Sequence, residues 1–192
     1  MKSRTDSLLV AATIAFAFLA ASFAATNSDL WLHLATGRLI AAGDYSIGVD
    51  PFSYLTAGKR WVNHAWLFDL AAYEVFQYLG GAALVALKAT GVALLAGILV
   101  RIGLRSGAPV WLACGSTLLA ILAMSPRLLV QPQCVSLLFL ALCFHLLNAG
   151  AVRWVPLLLA AWVNVDAWFI LGLGMALVCV LFQPSGGRKP PV

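Results

Sequence analysis

The sequence predicts an all-α integral membrane protein with about six transmembrane helices and a folded first extracytoplasmic loop. Composition is the first reason. Of 192 residues 62% are hydrophobic and only 10% charged, with a mean hydropathy of +0.95, against roughly 45–50% and 25% in soluble domains. A soluble chain of this length could not hide that much apolar surface, so lipid is the expected solvent. Segmentation is the second reason, because the apolar residues fall in runs near the roughly 20 that cross a bilayer. Third, the basic residues stand at the ends of those runs. That distribution reads the net charge of +5 as positive-inside topology rather than as a nucleic-acid surface.

The first run, "SLLVAATIAFAFLAASFAA" (7–25), follows a basic N-terminus and reads as a retained span rather than a cleaved signal peptide, since its apolar core is long. Further spans are expected over 80–101, 109–125 and 133–149. The run after Arg153 is too long for one helix and is interrupted by Asn164 and Asp166, so it reads as a hairpin of 153–164 and 167–182. With both termini in the cytoplasm, Lys2, Arg4, Arg101, Arg105, Arg153, Arg188 and Lys189 lie inside, the last two in a tail over 183–192. Arg38, Lys59, Arg60 and Arg127 lie outside. Cys114, Cys134, Cys143 and Cys179 sit within apolar runs without metal-like spacing and read as small packing residues.

Residues 26–79 form one long outer excursion that is rich in Trp, Phe, Tyr and Leu and therefore able to fold. Asp29 to Ala42 has helical spacing, with Leu30, Leu34 and Ala41 on one side and Gly43 as its C-cap. Asp29 and His33, four apart, share a face; Asn27 and Ser28, just before them, are the better-placed caps. Pro51 pushes Asp50 into an extended conformation, and "SYLTAGKRWV" reads as a hairpin around Gly58. "NHAWLFDLAAYEVFQYLGG" reads as an amphipathic interfacial helix capped at Asn63. Asp29, Asp44, Asp50, Asp69, Glu74 and Asp166 all fall on the outer side, which makes that side the place to look for chemistry.

The first loop, "SDLWLHLATGRLIAAGDYSIGVDPFSYLTAGKRWVNHAWL", resembles the pattern D-x-W-x-H-L-A-T-G … D-P-F-S-x … W-x-N-H-x-W-L. That pattern belongs to bacterial polytopic proteins related to GT-C glycosyltransferases. "SPRLLVQPQ" is similar to their P-R-x-x-x-R-P-Q segment without its second arginine. "WVNVDAWFILGLG" is similar to their W-V-N-x-H-G-G-F-x-x-G segment, with Asp166-Ala167-Trp168 in place of H-G-G. The resemblance runs in order from Asp29 to Gly174, and relatives usually continue with further helices. It implies transfer of a sugar from a polyprenyl-phosphate carrier at the outer face of the cytoplasmic membrane. An acid just after the first span, here Asp29, would act as base or acceptor-binding group, and some such enzymes bind a divalent metal.

For Asp29 as base, the requirement is reach to an acceptor hydroxyl while ionised; its plainer role is to start a helix. His33 could orient that carboxylate, share a metal or fill the interface. Asp29, His33, Asp50 and His64 are ligand types that suit a divalent cation, at no diagnostic spacing. Arg127 could pair with a lipid phosphate or reach out to headgroups. Lys88, deep in the second span, should face inward onto an acidic or carbonyl partner. Asn164 and Asp166, where the last helix pair turns back, should line a cavity wall, and His145 should be interfacial. Two function classes follow. One is a transferase binding membrane lipid and a lipid-linked sugar. The other is a non-catalytic scaffold or accessory subunit, which would use partner membrane chains. A transporter fits less well, because no inverted repeat or matching pair of broken helices is visible.

Overall fold

The protein is described by a computed structural model over residues 3–24, 29–52, 54–56 and 60–182. It is all-α, and among the described residues the only strand-like pairing is an isolated antiparallel bridge between Gly48 and Trp61. Seven α-helices follow in order: α1 (Arg4–Ala21), α2 (Asp29–Ala42), α3 (Trp66–Arg105), α4 (Val110–Met124), α5 (Pro132–Asn148), α6 (Val155–Trp162) and α7 (Phe169–Leu181). The segments Arg4–Ala21, Trp66–Arg105 and Val110–Arg127 are long and apolar enough to cross a membrane; α5, α6 and α7 are shorter apolar helices.

Helix ends follow local chemistry. Ser3 and Asp6 cap α1 reciprocally, Ser3 Oγ accepting from the Asp6 N–H while Asp6 Oδ2 accepts from the Ser3 N–H. At the end of α2, Gly43 takes φ 78°. Its N–H donates to the Ile40 carbonyl and that of Asp44 to Leu39, which satisfies two carbonyls the helix would otherwise strand. The forty residues of α3 hold a sharp break at Gly80, with φ 78° and ψ 176°. An amphipathic first part therefore meets the long apolar part at the boundary expected from sequence. Residues 153–182 are two helices, as expected, and Gly172 of α7 packs against Trp162 and Leu159 of α6.

Two expectations are corrected. The α3 helix begins at Trp66, and its cap Ala65 makes no side-chain cap bond. Asn63 instead closes a turn just before the helix, its Oδ1 accepting from the Ala65 N–H at 2.8 Å. Ala41 is exposed, so the buried side of α2 is Leu30, Leu34, Thr36 and Gly37. Of the proposed hairpin the structure describes one 3₁₀ turn at Tyr54–Thr56. Its turn at Gly58, the caps Asn27 and Ser28, and the tail 183–192 lie outside the described residues.

The core has two parts. Ala17 and Ala21 of α1 meet Ala89, Val92 and Ala96 of α3 and Ile121 of α4. Small side chains let these backbones come close, which is how helices gain packing where lipid offers no hydrophobic drive. Leu30 and Leu34 of α2 meet Ala72, Leu84 and Val130, and Phe68 and Phe76 pack beside them. This second cluster clamps α2 onto the first part of α3.

Candidate functional site

At the end of the bundle where α3 and α5 begin and α6 ends, polar side chains from distant segments bond to one another. The centre is Asp69, in the first turn of α3 and only 2% exposed. Its Oδ1 lies 2.6 Å from His33 Nδ1 and its Oδ2 accepts from Asn63 Nδ2 at 2.6 Å. Asn63 can hold that orientation because its other end, Oδ1, is occupied by the Ala65 N–H. The His33 ring also meets Phe68 edge-on, centroids 5.2 Å apart. A buried carboxylate is costly unless its oxygens are bonded, and here both are.

Gly37 makes this arrangement possible. A Cβ there would run into the Asp69 carbonyl and stand 2.6 Å from Tyr73 Cβ. Thr36, buried beside it, returns its hydroxyl to the Leu32 carbonyl at 2.9 Å. The A-T-G of the first motif is thus a helix-crossing point that brings His33 to Asp69.

Asp29 is exposed and accepts from Gln131 Nε2 at 3.0 Å across 102 residues. This amide–carboxylate bond ties the start of α2 to the residue just before α5. Gln131 also borders a cavity of about 260 Å³ between α3 and the start of α5. Phe68, Ala72, Leu84, Lys88, Val130 and Cys134 are among its walls. Lys88 has the carbonyl partner expected of it: Nζ donates to the Phe23 carbonyl at 3.2 Å and lies 3.7 Å from the centroid of the Phe23 ring.

A second cavity, about 560 Å³, opens beside Tyr45, Asn63, His64, Trp66 and Asn164. Trp66 Nε1 donates to Asn164 Oδ1 at 2.9 Å and the Leu67 N–H to the Asn164 carbonyl, so Asn164 does line a cavity wall. Asn63 joins the two places, facing this cavity and bonding Asp69. Burial raises the Tyr45 phenol above its usual value, and the charges of Asp69 and then Asp50 add to that. The folded state therefore holds the Tyr45 proton at pH values where the unfolded chain has released it. Stability from this group is complete below pH 10.0 and is lost as pH rises through the raised value. A difference titration of phenolate absorbance between wild type and Tyr45→Phe should place Tyr45 above ordinary tyrosine; titration at or below the ordinary value would refute the burial of the phenol near these charges.

Other expectations change. Asp166 lines neither cavity; 8% exposed, it accepts from Ser136 Oγ at 2.6 Å, which in turn accepts from Trp162 Nε1 at 2.8 Å. It is a structural tie between α5 and the α6–α7 turn. Asp50 accepts from the Phe52 N–H at 2.9 Å, a local turn around Pro51. Arg127 is exposed at the end of a 3₁₀ turn after α4. His145 lies at the opposite end of the bundle, 3.5 Å from Arg105 Nη1. Asp29, His33, Asp50 and His64 do not form a metal site, since among the described residues no three His, Cys, Asp or Glu side chains gather to hold an ion. Asp69 itself has no mark in the sequence beyond being one of several outer acids. The available hint was Asn63 six residues earlier, just before the helix starts. Compared with family models, curated proteins and solved structures, the chain matches none.

Proposed function

We propose that this chain is a GT-C-like membrane transferase that moves a sugar from a polyprenyl-phosphate carrier to an acceptor hydroxyl at the extracytoplasmic surface. In this reading α1, α4, α5, α6, α7 and the part of α3 after Gly80 cross the membrane, with both termini in the cytoplasm. The first part of α3 and α2 lie on the outer surface. Exposed apolar side chains on α1, α4 and α7, such as Leu8, Leu19, Leu119, Leu177 and Leu181, then face lipid.

One observation carries the reading. The segments that resemble the GT-C-related patterns, scattered over the chain, bond to each other at one end of the bundle: Asp29 to Gln131, Trp66 to Asn164, His33 and Asn63 through Asp69. A lipid-linked donor needs an apolar channel beside a polar reaction zone. The cavity between α3 and α5 supplies the first, and Gln131 on its wall bonds Asp29. Lys88 on its wall is the cation closest in kind to what a phosphate carrier requires. Asp29 binds the acceptor at the mouth.

The test replaces Asp29 with Asn and measures sugar incorporation into cell-surface glycans in cells lacking the wild-type copy. We expect a loss of at least about 10-fold, the scale of one charge-assisted hydrogen bond. Incorporation equal to wild type would remove Asp29 from the reaction.

A further inference from the structure

We propose that the proton acceptor in this transfer is His33 Nε2, with Asp69 as its positioning residue and Asn63 as the clamp on Asp69. The inference rests on the transferase reading above, and goes beyond it by assigning the base, which the resemblance implies is Asp29, to an imidazole.

Proton bookkeeping leads there. The Asn63 amide is oriented by the Ala65 N–H on its Oδ1, so Nδ2 must donate to Asp69 Oδ2. An ionised carboxylate can only accept, so the 2.6 Å contact at Oδ1 is a donation from His33 Nδ1–H. With the proton on Nδ1, a neutral ring carries its lone pair on Nε2. Among the described residues nothing hydrogen-bonds to Nε2, and the side chain is 20% exposed rather than sealed in the core. Phe68 fixes the plane of the ring. The result is a base whose tautomer and direction are set by a third group, the arrangement that an activated hydroxyl nucleophile needs.

Asp29 is less suited to the task. One of its oxygens is already engaged by Gln131, and a carboxylate is in general a weaker proton acceptor near neutral pH than an imidazole. It stands one helical turn from His33 on the same face, near enough to hold the acceptor that His33 deprotonates.

The step balances. The acceptor O–H gives its proton to His33 Nε2 while its oxygen forms the new bond to the anomeric carbon. The bond from that carbon to the phosphate oxygen breaks, its electron pair leaving on the polyprenyl phosphate. Asp69 stabilises the imidazolium until Nε2 returns its proton to water. Asp69 is the ionisable group bonded to this ring, and Asp29 stands one helical turn before it on α2.

The experiment uses the full chain in lipid nanodiscs. Nitrogen-15 spectra of labelled histidine read the tautomer, with the His33 signals assigned by their loss in His33→Asn. That substitution leaves an amide donor near the former Nδ1, so Asp69 keeps a partner while the base is gone. Transfer is measured from a radiolabelled polyprenyl-phosphate-linked hexose to cell-envelope acceptor. Wild type should show the Nδ1–H form, and His33→Asn should lose about 100-fold or more in kcat, the usual worth of a general base. Asp69→Asn should release the tautomer and lower kcat about 10-fold or more with donor KM unchanged, whereas Asp29→Asn should act on the acceptor KM. An Nε2–H tautomer in wild type, or full turnover by His33→Asn, overturns the proposal while leaving the transferase reading intact. Wild type that transfers no sugar under conditions where the Nδ1–H form is seen overturns the transferase reading, and the base assignment with it.

Discussion

Gly37→Ala should lower the melting temperature of the purified protein by about 3–10 °C, corresponding to an overpacking cost of roughly 1–3 kcal/mol. The added methyl has nowhere to go. It points at the backbone carbonyl of Asp69 and at Tyr73 Cβ, 2.6 Å away, and a carbonyl inside a helix cannot swing aside as a side-chain tip would. Relief comes only from lifting α2, which exposes Leu30 and Leu34 and draws His33 away from Asp69. Histidine spectra should therefore change along with stability. Gly115→Ala is the control: it lies within α4 with no heavy atom within 4 Å of its added Cβ, and alanine is the better helix former. Melting at or slightly above wild type is expected there. Equal behaviour of the two variants would show that α2 does not cross α3 at Gly37.

Trp162→Ala should be the most damaging single change, costing about 3–5 kcal/mol. The indole is fully buried at the end of α6, edge-on to Phe139 with ring centroids 5.9 Å apart, and Gly172 lies against its face. Its Nε1–H begins the chain that continues through the Ser136 hydroxyl to Asp166. Truncation opens a cavity and leaves Ser136 with one partner fewer. Thermal unfolding in detergent reads the loss. Asp166→Asn separates structure from chemistry, because the amide carbonyl can still accept from Ser136. It should melt within a few degrees of wild type and transfer sugar at the wild-type rate. Loss of transfer at normal stability would return Asp166 to the reaction.

Several of the acids have local partners at one end of the bundle. Asp69 holds His33, Asp29 meets Gln131, and Asp50 shapes the turn after which the chain returns to Trp61. Asp166 instead ties α5 to the turn between α6 and α7.

Much of the architecture was legible in the chain itself. Apolar run length located the helices, although α1 runs Arg4–Ala21 rather than 7–25 because Ser3 and Asp6 cap it early, and Gly43 and Gly80 take the positive φ that glycine adopts without strain. The turn between α6 and α7 followed from the polar residues Asn164 and Asp166 interrupting an apolar run. Even the inward carbonyl partner of Lys88 was legible, since an ammonium among apolar residues must find an acceptor.

The polar cluster around Asp69 was legible only as a neighbourhood. The sequence by itself determined that Asp29 and His33 share a helix face, because four residues make nearly one turn. It could not determine what that face meets, since the pairing depends on two helices crossing at Gly37 over contacts 36 residues apart. Hence Asp69, one acid among several, became the centre, while Asp166 tied α5 to the turn between α6 and α7. Periodicity fixes directions along one helix; only the close approach of two backbones decides which carboxylate a histidine can reach.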